Sequence, residues 1–291
     1  MLSKTLRWML CLLSKTKNYF GVTLKAKATD NSGAVLFVVK NNEEELATAG
    51  GASNTDVTIT VSGLLPNTTY NLQVIAKDDA GNEAEPVSVE AATLEAPAAA
   101  PKPSFFGKTA VAVFCDELDD APAINIGGWG QSTQVTFGQL AAGDNVQYLS
   151  NMNFLGWELA PAVDATDMEY LHVDLYTTSL TSVKITPISP AHEGAYTIEL
   201  TADEWNSVDI PLSAYATADI AWDNIFQFKF FDAVQEGGDL FIDNVYFYKA
   251  AGSGVENVQG DKVPCTKVLR NGMLLIEREG VRYTVTGMRV K

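Results

Sequence analysis

The sequence predicts an all-β protein built from two β-sandwich domains and a short C-terminal hairpin. Three observations lead to this prediction. Short runs rich in Val, Thr, Tyr and Phe alternate apolar and polar residues, as half-buried strands do. Turn signals such as "DNSG", "GGASNT" and "DDAGNE" separate the runs, and long windows with apolar residues at helical spacing are missing. The 291 residues, 46% of them hydrophobic, suffice for two separate cores.

The first twenty residues combine basic side chains with a short apolar run, Trp8 to Leu13. A secretory signal peptide has this kind of composition, but the run is shorter than the usual apolar region and no small-x-small cleavage site follows before Lys15 and Lys17. The alternative is an irregular lead-in whose end, "LCLLS", forms the first strand of the next domain. No segment approaches the roughly 20 consecutive apolar residues needed to span a bilayer.

The charge of the chain limits its partners. The sequence has 36 acidic and 20 basic residues, a formal net charge of −16, so a nucleic-acid backbone would be repelled. Nucleic acid is therefore not expected as a partner. An uncharged polysaccharide is permitted by this charge, because it is held by stacking and hydrogen bonds.

Cysteine and histidine usage argues against a disulfide framework or a transition-metal centre. Cys11, Cys115 and Cys265 lie far apart in the sequence, and their odd number leaves at least one unpaired in a monomer. The only histidines, His172 and His192, lie near no cysteine and form no HExxH pattern.

Five alternating runs follow from Val22 and predict a sandwich of antiparallel strands: "VTLKAKATD", "AVLFVVKN", "DVTITVSGL", "TYNLQVIAKD" and "PVSVEAATL". The stretch "LLPNTTYNLQVIAKD" places Leu64, Pro66 and Tyr70 in the order L-x-P-x-x-x-Y. With this motif, residues 10 to 94 resemble a fibronectin type III domain. The resemblance implies a spacer domain in which the Tyr70 hydroxyl bonds to upstream backbone at a strand corner. The acidic run "NNEEEL" is expected to be a solvated strand edge.

Nine strand-like runs lie between Phe105 and Lys249, about the length of a jelly-roll sandwich. "VFCDE" comes early, "GWGQST", "MEYLHVDLYTT", "ITPISP", "EWNSVDIPLSAY" and "IFQFKF" follow, and "LFIDNVYFY" closes the domain. This order resembles the galactose-binding-like jelly rolls that occur as carbohydrate-binding modules in secreted Bacteroidetes glycoside hydrolases and surface glycan-binding proteins. The resemblance implies non-catalytic binding of a plant or microbial β-glycan by a secreted or outer-surface protein, within a larger glycan-utilisation system.

Strand alternation predicts which side chains of this domain could face a ligand. In "YLHVDLYT" the outward set includes His172, Asp174 and Tyr176, and in "IFQFKFF" it includes Lys229. Outward aromatics beside charged and polar groups match the apolar C–H face and the hydroxyl rim of a sugar ring. The alternative, a face that is merely solvated, explains the charged residues but explains the outward aromatic rings less well.

Two tryptophans next to glycines are the predicted sugar platforms. Trp129, with Gln131 nearby, lies in the Gly-rich "GGWGQST", and Trp157, with Asn153 nearby, lies in "NFLGWELA". For Trp129 the alternative is a hydrophobic lid folded over the end of the sandwich.

The other two tryptophans of this domain are expected to pack. Trp205 begins an amphipathic strand and is predicted to plug the core, and Trp222 in "IAWDNIF" is predicted to be a packing residue.

Related jelly rolls often hold a structural Ca²⁺ ion near the first and the closing strand. The resemblance implies that Asp116 in "FCDE" and Asp243 in "FIDN" are the ligands here. Calcium takes six to eight oxygens, so loop carbonyls would complete the set. The alternative is that Asp243 only caps or hydrogen-bonds a strand end.

Enzymatic activity is not expected. The many Asp and Glu residues make some carboxylate pair inevitable by chance, so a glycoside hydrolase is the least favoured function. No GxSxG, HExxH or phosphate-binding loop is present. A structural or adhesive surface protein that binds protein partners is the competing non-catalytic function.

The last segment predicts a small hairpin, with strands at Leu274 to Glu277 and Val281 to Val285 around a turn at Glu279 and Gly280. Residues 267–291 resemble the C-terminal tails related to type IX sorting signals. The alternative is a hairpin that merely packs on the jelly roll.

The predicted organisation has four parts. A fibronectin type III-like domain at 1–94 is followed by a Pro- and Ala-rich, semi-rigid linker at 95–104. A jelly-roll domain at 105–250 and a linker with the tail at 251–291 complete the chain.

Overall fold

The computed structural model describes residues 11–31, 33–231, 237–250, 265–270, 273–278, 281–284 and 289–290. This part of the chain is nearly all β, with 60% of residues in strands and one short helix, which confirms the predicted class. Within the described residues no helix has the length and apolar character needed to cross a membrane. The chain divides into two compact units, residues 1–250 and 251–291.

The first sandwich consists of two antiparallel sheets. Its strands are β1 (Cys11–Lys17), β2 (Gly21–Lys27), β3 (Ala34–Asn41), β4 (Glu44–Ala52), β5 (Val57–Ser62), β6 (Thr69–Lys77) and β7 (Val87–Ala92). One sheet has the order β1-β2-β5 and the other the order β4-β3-β6-β7. Alternate residues of these strands, among them Leu24, Phe37, Ile59 and Leu72, are fully buried between the sheets.

Two details of this sandwich bear on the sequence predictions. "LCLLS" contributes Cys11 to Ser14 to the first strand, and Leu10 lies outside the described residues. The acidic run crosses the turn from β3 and begins β4, an edge strand of its sheet. The Tyr70 hydroxyl accepts a hydrogen bond of 2.8 Å from the backbone N–H of Leu65, as the L-x-P-x-x-x-Y motif implies. This bond ties the start of β6 to the turn before it.

The second sandwich also has two antiparallel sheets. Its strands are β8 (Lys108–Phe114), β9 (Ala123–Ile126), β10 (Gln134–Ala141), β11 (Asp144–Met152), β12 (Phe154–Val163), β13 (Tyr170–Tyr176), β14 (Ser182–Ser189), β15 (His192–Glu193), β16 (Tyr196–Glu199), β17 (Trp205–Pro211), β18 (Ile225–Phe231) and β19 (Gly238–Ala250), with a 3-10 helix at Leu212–Ala218. The β19 sheet has the order β10-β11-β19-β13-β17, and β8 also pairs with β19. The β18 sheet has the order β15-β14-β18-β12-β9, and β16 also pairs with β14.

The core between these sheets is aromatic. Trp157 from β12, Phe228 and Phe230 from β18 and Phe247 from β19 are fully buried there. Each belongs to the inward half of an alternating strand, which is why the opposite side chains of the same strands face outward.

The outer face of the β19 sheet is covered by earlier parts of the chain. Tyr19 and Phe20 pack edge-on against Tyr148 and Phe241. A Cβ on Gly138 would lie 2.4 Å from the Phe20 ring, so the two sandwiches meet closely where that glycine stands.

Residues 95–104 are extended and docked on the same sheet. The Trp205 indole N–H donates to the Ala98 carbonyl at 2.8 Å, and the Asn244 side chain donates to the Pro101 carbonyl at 3.3 Å. Trp205 is therefore half-buried on the outer face, so its predicted place in the core is wrong. Trp222 packs edge-on against Tyr215 and Phe247, which confirms its packing role.

The C-terminal unit contains a four-stranded antiparallel sheet. Its strands are β20 (Cys265–Arg270), β21 (Met273–Arg278), β22 (Val281–Thr284) and β23 (Arg289–Val290), in sequence order. β21 and β22 are the predicted hairpin. The predicted turn at 279–280 and the end at Val285 lie outside the described residues.

Candidate functional site

The outer face of the β18 sheet presents three rows of side chains, which we name the Trp129 face. Each row crosses β12, β18 and β14 through directly paired residues. The first row is Phe154, Phe231 and Lys184; the second is Gly156, Lys229 and Thr186; the third is Glu158, Gln227 and Ile188. Asn125 on β9 and Glu193 on β15 extend the third row at either side.

The ring of Trp129 lies on this face, above the second row. A Cβ built on Gly156 would lie only 1.6 Å from Trp129 Cζ3, and one built on Gly127 would lie 2.5 Å from Cζ2. The indole therefore occupies space that two missing side chains leave open. Trp129 is still 45% exposed, so part of its ring is open to solvent.

Gln131 holds the loop that carries Trp129. Its side-chain oxygen accepts from the Trp129 backbone N–H at 2.9 Å, and its side-chain amide donates to the Gly127 carbonyl at 2.6 Å. These bonds close the loop on itself and set the direction of the indole.

Asn153 joins the end of this loop to β12. Its side-chain oxygen accepts from the backbone N–H of Phe154 at 2.7 Å and of Ser132 at 3.0 Å, and from the Thr133 hydroxyl at 3.1 Å. The amides of Gln131 and Asn153 thus brace the Trp129 loop. Their predicted contacts with a sugar stay predictions.

An apolar cleft of about 210 Å³ opens beside the indole. Its walls are Trp129, Phe154, Gly156, Ile188, Gln227, Phe228 and Lys229. The cleft combines aromatic rings with an amide and an ammonium group. A sugar ring needs both kinds of group, because its C–H face stacks while its hydroxyls hydrogen-bond.

Two lysines flank an aromatic ring in the first two rows. The Nζ atoms of Lys184 and Lys229 each lie 5.3 Å from the centre of the Phe231 ring, within cation–π distance. Lys229 also contacts both carboxylate oxygens of Glu193, at 3.0 and 3.1 Å. Lys229 is thus on the candidate face, in agreement with its outward position in the predicted strand.

Trp157 is 0% exposed, so its predicted role as a sugar platform is wrong. It lies in the middle of β12, where Leu155 and Leu159 share its inward direction. Its indole N–H donates to the Gln147 side-chain oxygen at 2.8 Å inside the core. The "NFLGWELA" stretch lies almost entirely on β12, which is paired on both sides.

His172, Asp174 and Tyr176 lie on the β19 sheet, so the prediction that they share a binding face with Lys229 is wrong. They do point away from the core, as the alternation predicts, but the face that they form is covered. Asp174 is fully buried, and Tyr176 packs against Trp205 and Phe241. The outward aromatics of this sheet are explained by intramolecular contact, without a ligand.

His172 belongs to a polar network under that cover. Its Nδ1 lies 2.7 Å from Asp209 Oδ1 and its Nε2 lies 3.3 Å from Asp174 Oδ1, while the ring stacks on Tyr246. Burial lowers the pKa of this imidazole, but the hydrogen bonds with Asp174 and Asp209 outweigh burial and raise it above 6.5.

Asp174 in this network is fully hydrogen-bonded. It accepts from the Ser207 hydroxyl and, at 2.7 Å, from the Asn244 side chain, in addition to its contact with His172. Asn244 in turn holds the Pro101 carbonyl, so the network reaches the docked segment.

Of the two predicted calcium ligands, Asp116 follows the end of β8 and Asp243 lies within β19. Both carboxylate oxygens of Asp116 accept from Asn145, at 2.6 Å each. Asp243 is buried and accepts from the Asn244 backbone N–H, while its Oδ2 has no hydrogen-bond partner among the described residues. Burial, with help from the nearby carboxylates of Asp144 and Asp116, raises the pKa of Asp243 to about 8.

Asp116 and Asp243 could supply only some of the oxygen ligands that a calcium ion needs. The unpartnered Asp243 oxygen is a free ligand atom, and a carboxylate has about four acceptor positions, so Asp116 keeps room for a cation. The described residues contain no group of three or more Asp, Glu, His or Cys side chains that could hold a metal. Backbone carbonyls and water would have to supply most of the oxygens.

The sequence interpretation missed Phe154 and Gly156. Both stand on β12, which was not recognised as a strand. A signal was present, because Leu155, Trp157 and Leu159 alternate with Phe154, Gly156 and Glu158 in the sequence.

Comparison with known proteins gives structural neighbours only. No protein-family model and no curated protein matches the sequence. The structural neighbours include β-sandwich carbohydrate-binding modules of family 29. One such module is 16% identical with a TM-score of 0.35, over 53% of this chain and 98% of that chain. A mutant of the second family 29 module in complex with mannohexaose is 16% identical with a TM-score of 0.33, over 48% of this chain and 92% of that chain.

Proposed function

We propose that this protein is a non-catalytic polysaccharide-binding protein and that the Trp129 face is its binding surface. The observation that carries the proposal is the half-exposed indole of Trp129, braced over Gly156 beside an apolar cleft. An exposed tryptophan held by its neighbours offers stacking area at little entropic cost on binding. A tryptophan that only closed a core would be buried instead.

The surroundings of the indole match a sugar chain. Phe154 and Phe231 offer further aromatic surface, and Gln227, Glu158 and Asn125 provide hydrogen-bonding groups in the third row. The rows cross three paired strands, so a polymer can lie across the sheet. The proposed ligand is a plant or microbial β-glycan.

The other parts of the chain complete this proposal. The first sandwich is a fibronectin type III domain, supported by the Tyr70 corner and the β1-β2-β5 and β4-β3-β6-β7 sheets. Calcium stabilises the second sandwich at Asp116 and Asp243, supported by the unpartnered Asp243 oxygen. The protein is secreted or displayed on the outer surface of a Bacteroidetes cell as part of a glycan-utilisation system, and its tail is related to type IX sorting signals.

The test is binding of the full chain to a panel of immobilised β-glucan, xylan and mannan, with Trp129→Ala beside the parent. We expect the parent to bind at least one polymer and Trp129→Ala to lose most of that binding. Phe137→Ala is the matched control, because Phe137 is 49% exposed on β10 of the other sheet. Absence of binding to all glycans would instead favour an adhesive protein that binds protein partners.

A further inference from the structure

The first row of the Trp129 face differs from the third in its charge. Phe154, Phe231 and Lys184 form the first row, and Thr197 on β16 stands opposite Lys184 at its end. This row contains no acidic residue. Glu158 and Glu193 belong to the third row, and Glu199, which pairs with Ser182, flanks the first row. None of the three pairs directly with Lys184.

The positive charges of the two ammonium groups near Phe231 are not neutralised equally by neighbouring carboxylates. Lys184 and Lys229 are diagonal neighbours on adjacent strands, because Lys184 pairs with Phe231 and Lys229 pairs with Thr186. Like charges in such positions repel unless they are compensated. Glu193 compensates Lys229, whereas Lys184 forms no salt bridge with any carboxylate of the described residues.

We propose that Lys184 and Phe231 form a subsite for a hexuronate unit, so that the glycan bound by this face is acidic. The Lys184 ammonium, which lies over the Phe231 ring, pairs with the sugar carboxylate, and the C–H face of the sugar takes its place on the ring. A neutral sugar would fill the stacking position but leave the positive charge of Lys184 without a partner. This inference rests on the proposed polysaccharide-binding function.

The net charge of −16 does not prevent this contact. At physiological ionic strength, exposed charges are screened over about 8 Å, so distant carboxylates act weakly on a bound anion. The ammonium group within hydrogen-bond distance determines the local attraction, because a charge-assisted hydrogen bond is about twice as strong as a neutral one.

The experiment measures binding of the full chain to polygalacturonate, alginate and glucuronoxylan, and to β-glucan, xylan and mannan, by titration calorimetry. We expect at least one uronate-containing glycan to bind more tightly than every neutral polymer. For that glycan, Lys184→Gln should weaken binding about tenfold or more, and Lys184→Arg should retain most of it. Methyl esterification of the uronate carboxylates should have the same effect on the parent as Lys184→Gln, and this arm needs no folded variant.

Lys108→Gln is the matched control, because the Lys108 ammonium lies 4.4 Å from the Tyr248 ring on the other sheet. Binding should be unchanged in this variant. If the parent binds neutral glycans and no uronate-containing one, the inference is wrong and the proposed function stands. If a uronate-containing glycan binds and neither esterification nor Lys184→Gln weakens it, the subsite is assigned wrongly. If no glycan of either kind binds, both the inference and the proposed function fail.

Discussion

The indole of Trp129 occupies the position that a side chain on Gly156 would take, because a Cβ built on Gly156 would lie 1.6 Å from Trp129 Cζ3. Gly156 is in the middle of β12, a place where glycine ordinarily weakens a strand. Here the missing side chain leaves room for the Cζ3 edge of a loop tryptophan on the sheet. Gly156 is therefore a positioning residue for the proposed platform.

Gly156→Ala should displace the Trp129 indole from its position on the face while keeping the tryptophan in the chain. We expect glycan affinity to fall about tenfold, equivalent to about 1.4 kcal/mol, because the added methyl group displaces the ring from its position on the face. Gly128→Ala is the control in the same loop, since a Cβ there meets nothing within 4 Å. In a double-mutant cycle, Gly156→Ala should have no further effect on binding once Trp129 is alanine, and an additive loss would show that the glycine acts elsewhere.

Trp157 should behave as a core residue. Trp157→Ala is expected to lower the free energy of unfolding by about 3–5 kcal/mol, because it leaves a cavity among Phe228, Phe230 and Phe114. Trp157→Phe should cost about 1–3 kcal/mol, since it keeps most of the packing and removes the donor to the buried Gln147 oxygen. Chemical denaturation measures both, and a Trp157→Ala protein as stable as the parent would contradict its burial.

The class, most strands and the outward sets of β13 and β18 could be predicted from the sequence, because period-2 alternation is a local property. β12 was missed because Gly156 and Pro161 are typical of loops, although the strand lies between β18 and β9. Only the start of β4 was predicted, as the strand edge of the acidic run. The rest was missed because its Ala and Gly residues have low strand propensity.

The candidate site was harder to predict, because alternation does not tell which of two sheets a strand joins. His172 and Lys229 both point outward, yet one lies under the docked part of the chain and the other on the open Trp129 face. That difference arises from contacts between residues far apart in sequence, such as Trp205 with Ala98. No local pattern carries this information.

Calcium should raise the melting temperature of the parent relative to the same protein in EDTA, if the ion binds only the folded state. At a free concentration one hundred times the dissociation constant, the gain is about 2.7 kcal/mol. Asp243→Asn should abolish the difference, because an amide cannot become the anionic ligand that Asp243 becomes when the ion displaces its proton. Identical melting curves of the parent in calcium and in EDTA would show that no such site operates.

The pH dependence of stability should reveal the contact of His172 with its two carboxylates. Both ring nitrogens face an acceptor, Asp209 at 2.7 Å and Asp174 at 3.3 Å, and only the imidazolium can donate to both. The folded-state pKa is therefore raised above the unfolded value of 6.5. A group with a raised pKa contributes its full stability below pH 6.5 and loses it as the pH rises through the folded value.

We expect the parent to exceed His172→Gln in free energy of unfolding at pH 5.5, and the excess to shrink at pH 9. Each pKa unit by which the folded value exceeds 6.5 corresponds to about 1.4 kcal/mol of this excess. Comparing the two proteins at each pH removes the contribution of other titrating groups that both share. An NMR titration of the imidazole measures the folded pKa independently. Two results would contradict this prediction: a folded pKa of His172 at or below 6.5, or a stability difference between the two proteins that is the same at both pH values. Either would mean that His172 is held as the neutral ring and that no net charge attraction joins it to Asp174.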